Sequence, residues 1–196
     1  MGSGNIGIVP YLNRNITGLD NYFYKSEDKR IKIIKGDTAQ IPFKDNSFDV
    51  VISMDMMEHI KPHVRKKSVQ EMLRVTKKYL IIGFPTGRCA HKQDVYVVNL
   101  TKKIFGKEDP FAKEHLDFPL PMEKEFLDFL VKKYIRSVKR INNFPIRLRY
   151  IVLWLLFNNQ KWKQRTYFIL NIFARAISKV QSDKSYRKIF FIEKSA

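Results

Sequence analysis

Six residues at the start of the chain, Gly2-Ser3-Gly4-Asn5-Ile6-Gly7, could let backbone approach a ligand closely. Glycine adopts left-handed backbone without penalty and adds no Cβ to the approach. Taken alone the pattern is equally that of a loose N-terminal tail. Asp20 closes a short apolar run, Asn15-Ile16-Thr17-Gly18-Leu19-Asp20, near the interval at which nucleotide-binding sheets place a carboxylate. A carboxylate there accepts hydrogen bonds from both hydroxyls of a ribose. A second acid, Asp37, lies in Gly36-Asp37-Thr38-Ala39-Gln40-Ile41-Pro42-Phe43. Further on come Ser53, Met54, Met57-Glu58-His59-Ile60 and Glu71-Met72-Leu73-Arg74-Val75. By type and spacing these residues support only a Rossmann-like nucleotide-binding sheet. Glu114, His115 and Asp117 cluster later, but their spacing fits no metal-ligand pattern, and a solvated loop is expected there.

Such residues need a parallel sheet to hold them. The runs Asn15–Leu19, Ile31–Ile34, Phe48–Ser53 and Tyr79–Phe84 predict strands, and Arg65–Thr76 predicts a helix. Phe48-Asp-Val-Val-Ile-Ser is nearly continuous, as expected of a strand covered on both faces. Strands alternating with helices imply an α/β fold, a mostly parallel sheet with right-handed crossovers. From Gly87 to Pro121 the pattern reads as loop-rich. Met122–Tyr134 predicts an amphipathic helix, Val138–Ile141 a strand, Pro145–Val180 helical structure broken at Asn158–Arg165, and Lys188–Ile192 a last strand.

In this order, Gly-x-Gly, Gly-Leu-Asp, Gly-Asp-x-x-x-Ile-Pro-Phe, Ser-Phe-Asp-Val-Val, Glu-His and Glu-x-x-Arg-Val, the chain resembles class I S-adenosylmethionine-dependent methyltransferases, the type 11 group above all. The resemblance covers about residues 1–86. Composition and spacing alone support only a Rossmann-like nucleotide-binding sheet. The resemblance implies S-adenosylmethionine as cofactor. It implies that Gly2 and Gly4 line the methionine and sugar, Asp20 binds the ribose hydroxyls, and Asp37 meets the adenine amino group. The backbone at Thr38 would hold the ring, and Ser53 and Met54 would lie beside the cofactor. Glu58 and His59 match the family's Glu-His pair and are read as site-organising. No general base can be named; His91, His115 and Asp117 fall in the region that usually shapes the acceptor pocket. Two features depart from the family. Only Met1 stands before Gly2, where the family has a central strand of the type Val-Leu-Asp-Val, so the first strand is read as missing. The third glycine falls one place late, at Gly7.

On this reading the 196 residues form one domain. Residues 1–86 are the cofactor-binding half and 87–143 a variable acceptor-side region. Residues 144–182 are a basic aromatic helical insertion, and 186–193 the last strand. With 44% hydrophobic residues the chain can build a core. A lone cysteine, Cys89, excludes an internal disulfide and agrees with a reducing cytoplasm. The N-terminus lacks the basic start and apolar run of a secretion signal. Net charge is +18, and it is uneven: residues 121–196 hold 17 basic against 5 acidic side chains, and none of the acids lies between Phe129 and Ser182. That segment, with Trp154 and Trp162, has three readings. It packs on the sheet over the acceptor site; it lies on an anionic membrane surface; or, with least support, it binds nucleic acid. No transmembrane helix is expected, because the apolar run Tyr150–Phe157 is too short. The function expected is methyl transfer from S-adenosylmethionine to a small-molecule, lipid-linked or glycan acceptor. The alternatives are a non-catalytic membrane-associated protein of the same fold and an RNA methyltransferase.

Overall fold

The computed structural model describes residues 1–4, 7–12, 14–22, 26, 28–158 and 182–195, without the side chains of 144 and 154–158. The predicted helix through Ile169, Ile172, Ala176 and Val180, and Trp162, lie outside the described residues. The chain divides into two compact units. One comprises residues 1–84, 124–139 and 190–196, the other 85–123 and 140–189.

The first unit holds the parallel strands. β1 (Ile16–Asp20) pairs in parallel with β2 (Ile31–Lys35), from Ile16 opposite Ile31 to Asp20 opposite Lys35. β3 (Phe48–Met54) pairs in parallel with β4 (Thr76–Pro85). They are joined through α1 (Pro62–Val75). Pro62 opens α1 where its missing N–H is no loss. Residues Arg65, Ser68, Val69, Met72 and Leu73 form its buried stripe, at the spacing of one helical face. The core gathers Leu19, Val51, Val69, Met72, Leu80 and Ile82. An aromatic trio belongs to it: the ring of Phe84 lies 5.2 Å from Phe126 and 5.5 Å from Phe190.

Two separate sheets result. β1 and β2 form one; the other has the order β3-β4-β6-β5, with β5 (Ile135–Pro145) and β6 (Ser185–Lys194) each continuing from one unit into the other. β1 and β3 therefore each end a sheet. An opening of about 1090 Å³ is lined by residues of both, Ile16 to Leu19 and Phe48 to Met54 among them.

The second unit corrects the sequence reading. Gly87 to Pro121 is not loop-rich: it forms α2 (Gly87–Phe105) and α3 (Pro110–Asp117). The buried face of α2 is Ala90, Gln93, Asp94, Val97, Val98 and Thr101. The helical spacing is complete, but three of the six are polar, so apolar periodicity understates it. Gly106, in left-handed backbone at φ 69°, ends α2 with its N–H on Lys102 O. Asp109 caps α3 by accepting the Ala112 N–H at 2.8 Å, and Pro110 follows as its first residue. The helix expected over Met122–Tyr134 is shorter: α4 (Glu123–Phe129), then a 3-10 turn at Lys132–Tyr134. The strand expected at Val138–Ile141 runs the full length of β5. α5 (Ile146–Asn158) is the described part of the expected insertion. Among the described residues no helix is long and apolar enough to cross a membrane.

Candidate functional site

The glycine turn and the first acid are bonded to each other. Gly2, Gly4 and Gly7 have φ of 63°, 53° and 53°, all left-handed, which residues with a Cβ rarely adopt. The Gly2 N–H donates to Leu19 O at 2.9 Å, which holds the turn at the end of β1. The Gly4 N–H donates to Asp20 Oδ2 at 2.8 Å, and the Tyr22 N–H to Asp20 Oδ1 at 3.1 Å. Each carboxylate oxygen keeps lone pairs beyond these single bonds. A Cβ on Gly4 would meet nothing within 4 Å, so open space lies over that residue.

The second acid is linked to the first through backbone. The Gly36 N–H donates to Asp20 O at 2.9 Å. A Cβ on Gly36 would come within 2.8 Å of Leu19 Cδ1, so a larger residue there would displace the buried Leu19 side chain. Asp37 is exposed and accepts the Ala39 N–H at 2.8 Å, an Asx turn that fixes the loop after β2. Thr38 Oγ1 is 3.1 Å from Ser68 Oγ on α1.

At the end of β3, Ser53 is buried and its hydroxyl reaches Met56 Sδ at 3.6 Å. The same Met56 side chain fills the space beside Gly2, where a Cβ would stand 3.0 Å from Met56 Cγ. Met56 thus ties Ser53 to the glycine turn. Met54 is half-buried, and Asp55 after it is left-handed at φ 49°, a strained state for a residue with a side chain. The turn Met57–His59 follows, with Glu58 2% exposed and His59 half-buried. So Gly2, Gly4, Asp20, Asp37, Ser53 and Met54 gather at the C-terminal ends of β1, β2 and β3. Thr38 is anchored on α1. Glu58 is buried within the turn beyond β3. The 1090 Å³ opening shares Gly2 and Met54 with this group, whereas Gly4, Asp20, Asp37, Thr38 and Ser53 do not line it.

Three positioning residues carry no signal of their role in the sequence. Arg65 is 1% exposed, and its Nε donates to Met57 O at 3.1 Å and Ile60 O at 2.9 Å. It holds the Glu58–His59 turn from beneath. Burial pulls its pKa down, while Glu125 and Glu58 act the other way. Glu71 and Arg74 clamp the loop after Asp37. Arg74 Nε and Nη2 donate to the two oxygens of Glu71 at 2.9 and 2.8 Å, and Nη1 and Nη2 donate to Phe43 O and Ile41 O at 2.8 and 3.0 Å. Glu71 Oε2 accepts the Ile41 N–H at 3.0 Å. The hydrogen bonds from Arg74 hold the Glu71 carboxyl below the usual carboxylate range, against the opposing effect of burial. The Glu-x-x-Arg spacing was visible; its partner loop, thirty residues upstream, was not.

The second unit has a polar cluster of its own. Asp94 is 1% exposed; Tyr186 Oη donates to its Oδ1 at 2.7 Å, and His115 Nδ1 lies 3.2 Å from its Oδ2. The Arg149 guanidinium stands 3.6 Å over the Tyr186 ring. The solvated loop expected at Glu114–Asp117 is corrected here. His115 is buried on α3, because α3 packs on α2 through Ala112, Val97 and Val98. His91 and Asp117 lie apart from these bonds among the described residues.

The cradle in the first unit fits a nucleoside cofactor. Its glycines leave open backbone, and its two strand-end acids are linked by the hydrogen bond from Gly36 N–H to Asp20 O. Residues 1–82 match the methyltransferase domain family. An uncharacterized protein of Haemophilus influenzae is 28% identical over 126 residues, 58% of this chain and 50% of that protein, so the chain spans half the length of this curated relative. Phosphoethanolamine N-methyltransferase 2 of Haemonchus contortus, solved with phosphomonomethylethanolamine and S-adenosylhomocysteine, superposes with a TM-score of 0.58 at 16% identity, covering 99% of this chain and 47% of that one. The same protein with S-adenosyl-L-methionine gives 0.58 at 18% identity. A methyltransferase of Archaeoglobus fulgidus gives 0.52 at 13% identity, over 91% of this chain and 75% of that one.

Proposed function

For a chain with the Rossmann-like fold of the class I S-adenosylmethionine-dependent methyltransferases, we propose methyl transfer to a small-molecule, lipid-linked or glycan acceptor. The observation that carries the reading is the bond between the left-handed glycine turn and Asp20, because it joins backbone donors and a carboxylate in one rigid unit. On this reading the carboxylate of Asp20 accepts from the ribose hydroxyls through the lone pairs that Gly4 and Tyr22 leave open. Gly2 and Gly4 offer backbone without side chains to the sugar and methionine portion. Asp37 accepts from the adenine amino group, and the backbone at Thr38 supports the ring. Ser53 reaches the cofactor by its backbone, since its hydroxyl is turned to Met56. Met54 lies beside it. Glu58 and His59 organise the floor, held by Arg65.

S-adenosylmethionine, when bound, supplies a methyl group already activated on a sulfonium. The chain's task is to align the acceptor and exclude water. A base is needed only for an acceptor that is protonated at neutral pH.

Calorimetric titration of S-adenosylhomocysteine into the chain and its Asp20→Ala variant tests the reading. Removing a charged acceptor of this kind is worth about 1.5–3 kcal/mol, or roughly a tenfold to hundredfold rise in Kd. A folded chain that does not bind, or a variant that binds equally well, sinks the assignment.

A further inference from the structure

We propose that the groove between α4 and the start of β5 seats one acyl chain of an anionic phospholipid bilayer, with Lys132, Lys133 and Lys139 set against the headgroup phosphates. The surface lies within residues 124–139 of the first unit. Its test uses neither cofactor nor methyl acceptor, so it stands apart from methyl transfer.

The walls of the groove are apolar. Leu127 on α4, Leu130 just after it, and Ile135 and Val138 on β5 line about 350 Å³. That volume is at the low end of ligand sites, which suits a slender apolar group. Leu130 belongs to the core, and Leu127 and Ile135 pack against it, so these walls are fixed from behind. The outer side is open. Val138 is 41% exposed, and Tyr134, next to Ile135 in the chain, is 49% exposed. Both gain by leaving water.

Charge selects the occupant. Lys132, which also lines the groove, Lys133 and Lys139 are all exposed. The sequence has no acid from Phe129 to Ser182. Arg136 is matched by Glu193 at 3.1 Å, but none of the three lysines is ion-paired among the described residues. Lys133 Nζ lies instead 4.7 Å over the Tyr134 ring. One acid, the exposed Asp128, lines the groove and opposes the lysines.

An anionic bilayer answers both features at once. Its phosphates meet the lysine amines, while the lysine stems and the tyrosine ring lie along the boundary. Its hydrocarbon meets the groove. A nucleic acid or a free phosphate ester would use the same lysines but leave the apolar walls in water.

The test is flotation of the full chain with vesicles of phosphatidylcholine, alone or mixed with phosphatidylserine. Binding is expected only to the mixed vesicles. Each lysine at an anionic surface is worth roughly fivefold in binding, so changing Lys132, Lys133 and Lys139 together to Gln should weaken it by about a hundredfold. Asp128→Asn should tighten it by roughly a few-fold. Val138→Gln should weaken it by about threefold or more, although it alters no charge. Thermal melting checks that each variant is folded. Insertion is read from a nitroxide on Val138→Cys in a Cys89→Ser background. On mixed vesicles its collisions with oxygen should rise and those with a water-soluble nickel chelate should fall. Equal binding to phosphatidylcholine alone overturns the proposal, as does a lysine triple variant that floats like the parent. A label at 138 that stays in water on bound protein overturns it too. So does displacement of the vesicles by soluble glycerophosphate, or tighter binding of single-stranded RNA through the same lysines.

Discussion

Arg74→Gln tests whether the clamp on the loop after Asp37 has the weight its geometry implies. The guanidinium grips both oxygens of Glu71 and two carbonyls, at Ile41 and Phe43. It also reaches Asp45, whose side chain is 72% exposed, and that pair adds little. Glu71 is different, with a side chain 10% exposed. Without Arg74 it keeps the Ile41 N–H and Lys67 at 3.9 Å. Leaving a largely buried carboxylate short of its main partner costs about 2–3 kcal/mol. For a chain of this size that is a fall in Tm of roughly 5–10 °C. The loop carrying Asp37 and Thr38 loosens with it, so S-adenosylhomocysteine should bind about three- to tenfold more weakly. The pH dependence has a definite sign. The Glu71 carboxyl lies below its ordinary 4.5 in the folded chain, so its contribution is complete above 4.5 and is lost as pH falls below it. Thermal unfolding of the two proteins should therefore differ most at neutral pH and converge in acid. A variant within 2 °C of the parent, or a gap undiminished at about pH 3, refutes the reasoning.

Three further outcomes are expected. Because the Met1 amine titrates at about 6 when folded against 8.0 when unfolded, the unfolded chain binds more protons between those values. Denaturant unfolding should then show stability rising across pH 6 to 8 by on the order of 2–3 kcal/mol, and the rise should vanish when the Met1 amine is acetylated. Tyr186→Phe takes one donor from the buried Asp94 carboxylate and should lower stability by about 1–3 kcal/mol in the same assay; no change would mean that water replaces the hydroxyl. The acid-free stretch from Phe129 to Ser182 should sediment the protein with vesicles of anionic lipid but not zwitterionic lipid, with binding falling as salt rises.

What the sequence disclosed follows from which contacts are local. β2, β3 and β4 were legible because each is an apolar run bounded by polar residues, and α1 because its apolar stripe is regular. The glycines, Asp20 and Asp37 were legible as types at intervals. α2 was not, since Gln93, Asp94 and Thr101 occupy half of its buried face and erase the apolar period. α3 left a usable mark in Asp109-Pro110, a cap followed by a helix-opening proline. β5 hid its length because Arg136, Lys139 and Arg140 interrupt any alternation. Arg65, Glu71 and Arg74 could be seen as residues but not as supports, because each acts on carbonyls or N–H groups of a separate element.

The site is consequently built more from backbone than from side chains. Leu19 O receives the N–H of Gly2, and Asp20 O that of Gly36, so the ends of β1 and β2 and the glycine turn are locked without any side-chain choice. Side chains enter as struts: Asp20 to Gly4, Met56 between Gly2 and Ser53, Thr38 to Ser68, Glu71 to Ile41. Such a frame is rigid only while the strands beneath it are paired. Among the described residues β1, which carries the Leu19 and Asp20 anchors, pairs with β2 alone, and Met1 with Gly2 links Leu19 to Ile52. The firmness of the glycine turn therefore depends on Met1 and Gly2, because the same two residues tie β1 to β3 and open the cradle.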